Sequence, residues 1–141
     1  MKSYKLGRKS AHRKSTVKNL AVSVIIYERI ATTLPKAKLA QRLVERVMSR
    51  AKRYSTPNDY RVAKQLLGQD NAAKKIVEVL KQRYAKINSG FTRIVKLQNR
   101  RGDNALEVIL ELTIKTEAVP AKKDKTTKTD NKNQTTIKKS K

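Results

Sequence analysis

Apolar residues recur every three or four positions up to about residue 84, and at every second position beyond it. Val17, Leu20, Ala21, Val24 and Ile25 predict a helix over residues 11–28 with one buried face. Ile30-Ala31-Thr32-Thr33-Leu34 is a β-favouring run ended by Pro35. Proline suits a helix's first position, where its missing N–H has no intrahelical partner. A second helix is expected over about 35–53, with Ala40, Leu43, Val44, Val47, Met48 and Ala51 as its stripe and Lys38, Arg42, Glu45 and Arg46 largely outside it. Ser55-Thr56-Pro57-Asn58 opens a short helix that reaches about Leu67 and stops at Gly68. Asp70 is placed to cap the next helix, whose face is Ala73, Ile76, Val77, Leu80 and Tyr84, and Ser89-Gly90 ends it.

Period two then takes over. Phe91, Arg93, Val95 and Leu97 alternate with Thr92, Ile94, Lys96 and Gln98. Beyond the turn at residues 99–104, Leu106, Val108, Leu110, Leu112 and Ile114 alternate with Glu107, Ile109, Glu111 and Thr113. The second alternation predicts a strand with one wet face. With residues 30–34 it makes a three-stranded sheet packed on helices, an α/β (α+β) domain over residues 11–115. Residues 1–10 lack either period and read as an extended arm. Residues 116–141 are Lys, Thr, Asp and Asn with little to bury, and are expected to be disordered.

Charge decides the class of partner. The chain has 141 residues, 35 Lys and Arg against 11 Asp and Glu, and a net charge of +24. Such a domain repels itself and is comfortable beside a polyanion, nucleic acid first and an anionic membrane second. Lys2, Lys5, Arg8, Lys9, Arg13, Lys14 and Lys18 come before the first acid, Glu28. Cations in the first turns of a helix oppose its dipole, a conflict that a phosphate there offsets. Lys36 and Lys38 stand in the same position on the second helix, whereas the dipole alone accounts for Arg50, Lys52 and Arg53 at its other end. Arg93 lies on a strand, and Arg100 and Arg101 at the hairpin tip, where an RNA contact and an exposed polar turn are equally good accounts. One Phe, five Tyr and no Trp are few for stacking bases, which favours double-helical nucleic acid bound through its backbone. That argument does not separate RNA from DNA.

Signs of catalysis are lacking. His12 has no second imidazole to share a metal with, and no Cys, Asp or Glu near it in sequence; in a basic segment it reads as a phosphate or base contact or as mere surface. The four glycines are isolated, so no phosphate loop forms. Glu107 and Glu111 share a strand face that reads as wet, where carboxylates serve solubility; acid/base pairs need burial to separate their pKa values. Without Cys there is neither a disulfide framework nor a thiolate metal site. No apolar run reaches the length of a bilayer span, and the N-terminus lacks a signal peptide's apolar core. No enzyme, cofactor, metal, membrane partner or small-molecule substrate is expected, since the first helix needs its Val and Leu for the core, and the location reads as cytoplasmic. A DNA-architectural protein would share the charge, but neither a groove-reading helix nor a wedge residue is evident.

Four segments carry a more specific signal. They are Tyr4-Lys5-Leu6-Gly7-Arg8 with Ser10-Ala11-His12-Arg13-Lys14; Glu28-Arg29-Ile30-Ala31-Thr32-Thr33-Leu34-Pro35-Lys36-Ala37-Lys38; Gly90-Phe91-Thr92-Arg93-Ile94; and Arg100-Arg101-Gly102-Asp103-Asn104-Ala105 leading to Glu111-Leu112. In this order and at this spacing over residues 1–113, the chain resembles the bacterial large-subunit ribosomal protein family numbered seventeen. The resemblance implies a compact α/β domain with a basic arm, a structural role in the 50S subunit, and 23S rRNA as partner. It also implies neighbouring ribosomal proteins, including the small family numbered thirty-two. It sets Lys2, Lys5, Arg8, Arg13, Lys14, Lys36 and Lys38 against RNA. Residues 116–141 run past the usual family end, and the resemblance says nothing of them.

Overall fold

The computed structural model describes residues 4–53 and 58–114. Lys2, most of the turn at 55–58 and the tail at 116–141 lie outside the described residues. Helix α1 spans Ser10–Tyr27, strand β1 Arg29–Thr33, helix α2 Leu34–Arg53 and helix α3 Asn58–Leu67. A last helical stretch combines α4 (Asp70–Lys75), a π-helical turn (Ile76–Leu80) and α5 (Lys81–Arg83), and the backbone stays right-handed through both joins. Strands β2 (Thr92–Asn99) and β3 (Leu106–Leu112) form the hairpin.

The sheet is antiparallel with order β1-β3-β2, so the last strand lies in the middle. Ile30 and Ile94 both sit opposite Leu110. They share a face with Val108 and Leu112, and this face meets the helices. Val24, Ile25, Val44, Val47, Met48, Ile76 and Leu80 complete the core, together with Tyr84 and Phe91, whose rings meet edge to face at 5.5 Å. Burying those apolar faces is what holds marginal helices such as α3 in place.

Glu28 sets the geometry of the first half. It is a non-glycine residue at φ +62°, and its N–H donates to Val24 O at 2.8 Å, which closes α1. Its carbonyl accepts from Leu112 N at 3.0 Å. Its carboxylate accepts from Lys75 at 2.8 Å and Arg83 at 2.9 Å. One residue thus ties the exit of α1 to the central strand and to the last helix.

Two expectations need correction. Asp70 is not a cap: the residue before the helix is Gln69, in extended conformation, and the Asp70 carboxylate pairs with Lys64 at 2.9 Å. Nor does β3 have a wet face, since Val108, Ile109, Leu110, Glu111 and Leu112 are all buried. Alternation reveals two faces but not a strand's rank in the sheet. As the middle strand, β3 is covered on its outer side by residues of both neighbours. Glu111, only 3% exposed, is no solubilising charge: it lies 2.6 Å from Arg93 of β2 and 3.9 Å from Arg29 of β1.

Candidate nucleic-acid interface

The site begins with residues 4–9, which precede α1 without helix or strand. Leu6 (φ +57°) and Gly7 (φ +61°) turn the chain, and Arg8 N donates to Lys5 O across the turn at 3.2 Å. Helix α1 then starts with Lys9 at the capping position, no side-chain cap and no acid in its first turn. Its free N–H groups and the cations Lys5, Lys9, Arg13 and Lys14 all favour an anion at this end. His12 is exposed here, its carbonyl accepting from Thr16 Oγ1 at 2.8 Å. Helix α2 has no acid in its first turn either, with Lys36 half-buried and Lys38 exposed.

Packing α1 against α2 leaves an open groove of about 700 Å³. Tyr4, Val17, Leu39 and Leu43 give it an apolar floor. Arg13, Lys14 and Lys18 of α1 line one side, and Arg42 and Arg46 of α2 the other. None of these five cations has a carboxylate partner among the described residues. One acid, Glu45, also borders the groove, but its carboxylate accepts from Thr92 N and Thr92 Oγ1, both at 2.9 Å, and from Gly90 N at 3.2 Å. It is spent on holding the hairpin.

The hairpin's cations are differently placed. Arg93 donates to buried Glu111 at 2.6 Å. Arg100 holds Asp103 through two bonds, 2.6 and 3.1 Å, and pushes that carboxyl down to about 2. Arg101 is exposed, beside Gly102 at the tip. Of the residues singled out from sequence, then, Lys5, Arg8, Lys9, His12, Arg13, Lys14 and Lys18 share one region. Lys36 and Lys38 follow on α2, and Arg93, Arg100 and Arg101 stand on the hairpin, outside the groove. Sequence reasoning missed Tyr4, Arg42 and Arg46. Arg42 and Arg46 are four apart, which puts them on one helix face; which helix that face meets is settled only by packing.

No group of His, Cys, Asp and Glu among the described residues could hold a metal ion. No helix among them is long and apolar enough to cross a membrane.

The model of the family described as ribosomal protein L17 matches residues 16–113. The large ribosomal subunit protein bL17 of Solibacter usitatus is 44% identical over 109 residues, covering 77% of this chain and 72% of that one. Its namesake from Anaplasma phagocytophilum is 44% identical over 112 residues, 77% of this chain and 85% of the other. That of Thermomicrobium roseum is 41% identical over 107 residues, 76% and 91%.

Proposed function

We propose, on the premise that the chain belongs to the ribosomal protein L17 family, that it binds 23S rRNA through backbone phosphates and so stabilises the large subunit. Membership makes it a structural constituent of the large ribosomal subunit and not an enzyme. The finer reading rests on one observation: an acid-free block of cations runs from Lys5 to Lys18, and its members Arg13, Lys14 and Lys18 face Arg42 and Arg46 across the groove, without carboxylate partners among the described residues. Internal ion pairs would have to be broken before RNA could use a cation; among the described residues these cations have none to break. Phosphate contacts of this kind fix position and carry affinity without reading sequence.

Lys5, Arg8, Lys9, His12, Arg13, Lys14 and Lys18 form the principal contact, with Lys2 ahead of them. Lys36 and Lys38 extend it along α2, and Arg101 makes a second contact at the hairpin tip. Arg93 and Arg100 serve the hairpin first and RNA second, because each already holds a carboxylate. Neighbouring large-subunit proteins, among them the small family numbered thirty-two, complete the partners, and the ribosome places the protein in the cytoplasm.

Sedimentation of the tagged chain from a lysate tests the assignment. Co-migration with large subunits through high-salt washing supports it, and co-migration with DNA or free protein sinks it.

A further inference from the structure

We infer that the groove between α1 and α2 takes a single extruded nucleobase of the bound RNA, with the phosphates on either side of it held by the cations along the rim. The inference rests on the rRNA-binding reading and adds to it a site for one unpaired nucleotide. A surface built for phosphates alone has no use for an apolar floor, since burying a charged group against hydrocarbon costs free energy. This groove has such a floor, made by the Tyr4 ring with Val17, Leu39 and Leu43. Its volume, about 700 Å³, falls within the range of roughly 300–1,000 Å³ typical of clefts that hold small organic ligands.

The rim selects the ligand. Two rows of cations, Arg13, Lys14 and Lys18 opposite Arg42 and Arg46, flank the floor. The single bordering carboxylate is turned to the hairpin by three hydrogen bonds. An apolar, planar body with an anion on each side matches that arrangement, and an unpaired nucleotide in a strand has this form. Unstacked bases are held in proteins by aromatic rings and by guanidinium planes, and Tyr4, Arg13, Arg42 and Arg46 supply both. An acidic amphipathic peptide is the competing occupant. The crosslinking experiment below distinguishes it from a nucleotide.

The test uses the full-length chain with Tyr4 replaced by the photocrosslinker p-benzoylphenylalanine, a change that keeps an aromatic ring outside the helices. The variant is assembled into large subunits and irradiated. One dominant crosslink to a single unpaired nucleotide supports the inference, whereas a crosslink to polypeptide, or crosslinks spread along a duplex, overturns it. A salt series with large-subunit rRNA separates the two kinds of contact. Tyr4→Ala should weaken binding about tenfold, within the range for a lost stacking partner, and leave the salt slope unchanged. Arg42→Gln with Arg46→Gln should flatten the slope by roughly two. Unchanged affinity in Tyr4→Ala overturns the inference but not the rRNA reading; failure of the wild-type chain to bind rRNA overturns both. Arg42 and Arg46 are exposed, so their replacement leaves the fold intact, which circular dichroism verifies.

Discussion

Glu28 shows how one side chain can carry stability. Burial alone would raise its pKa, but hydrogen bonds and charge from Lys75 and Arg83 outweigh that and lower it from 4.5 to about 2. A carboxyl held down in the folded state stabilises above its unfolded pKa, and that contribution disappears as pH falls from about 4.5 through 2. Glu28→Gln should therefore cost about 3 kcal/mol at pH 7, because it leaves two half-buried cations without their anion. Urea unfolding of both proteins across pH checks it. The gap should be full at pH 7 and nearly closed by pH 2; a gap independent of pH would mean that packing, not charge, is lost. Asp103 has a carboxyl lowered to about 2 as well, but it is exposed at the hairpin tip, and solvent leaves such pairs little influence on folding.

At the level of elements, the helices and strands were legible because most bury one face more than the other, and burial writes its period into the sequence. The π-helical turn Ile76–Leu80 was not, since its residues are ordinary helix formers and its mark is a shift in hydrogen bonding, as in the bond from Lys81 N to Ile76 O. The centrality of β3 was hidden for a similar reason: strand order depends on which edges meet, and no local pattern encodes that. The end of α5 is a third case. Lys52, whose place at the end of α2 is explained by the dipole, donates to the carbonyls of Tyr84, Ala85 and Ile87 and to Asn88 Oδ1. The ammonium thus gathers the carbonyls at the end of the terminating helix, one of which, Tyr84 O, also accepts from Ile87 N at 3.0 Å. Lys52→Met, which keeps the stem, should cost about 2 kcal/mol and speed hydrogen exchange over residues 84–90 before the rest of the chain. Uniform acceleration would show that Lys52 supports the whole fold and not this end.

The whole molecule divides its charge by location. From Glu28 onward, the described cations include many spent on carboxylates: Arg29 and Arg93 on Glu111, Lys75 and Arg83 on Glu28, Lys81 on Asp59, Arg100 on Asp103. Before it there is no carboxylate to spend them on. This asymmetry was readable from the sequence, and so was most of the candidate site. What stayed hidden is the part played by Tyr4 and by Arg42 and Arg46 of α2, because these join Lys14 and Lys18 only through tertiary packing. The same asymmetry fixes an ordering among substitutions. If the cations act on phosphate, log affinity for a large-subunit rRNA fragment falls linearly with log salt, each contact adding about −0.9 to the slope on a duplex. Replacing Lys5, Arg8, Arg13 and Lys14 with Gln should flatten the slope by roughly one for each residue that touches phosphate. Replacing Arg93 and Arg100 should flatten it less, because Glu111 and Asp103 already hold them. The loss of Arg93, whose partner Glu111 is buried, should appear instead as lower stability in urea unfolding, whereas that of exposed Arg100 should change it little. A slope that responds equally to both sets would mean that RNA strips the hairpin arginines from their carboxylates. A slope that responds to neither would mean that shape, and not phosphate charge, holds the protein on its RNA.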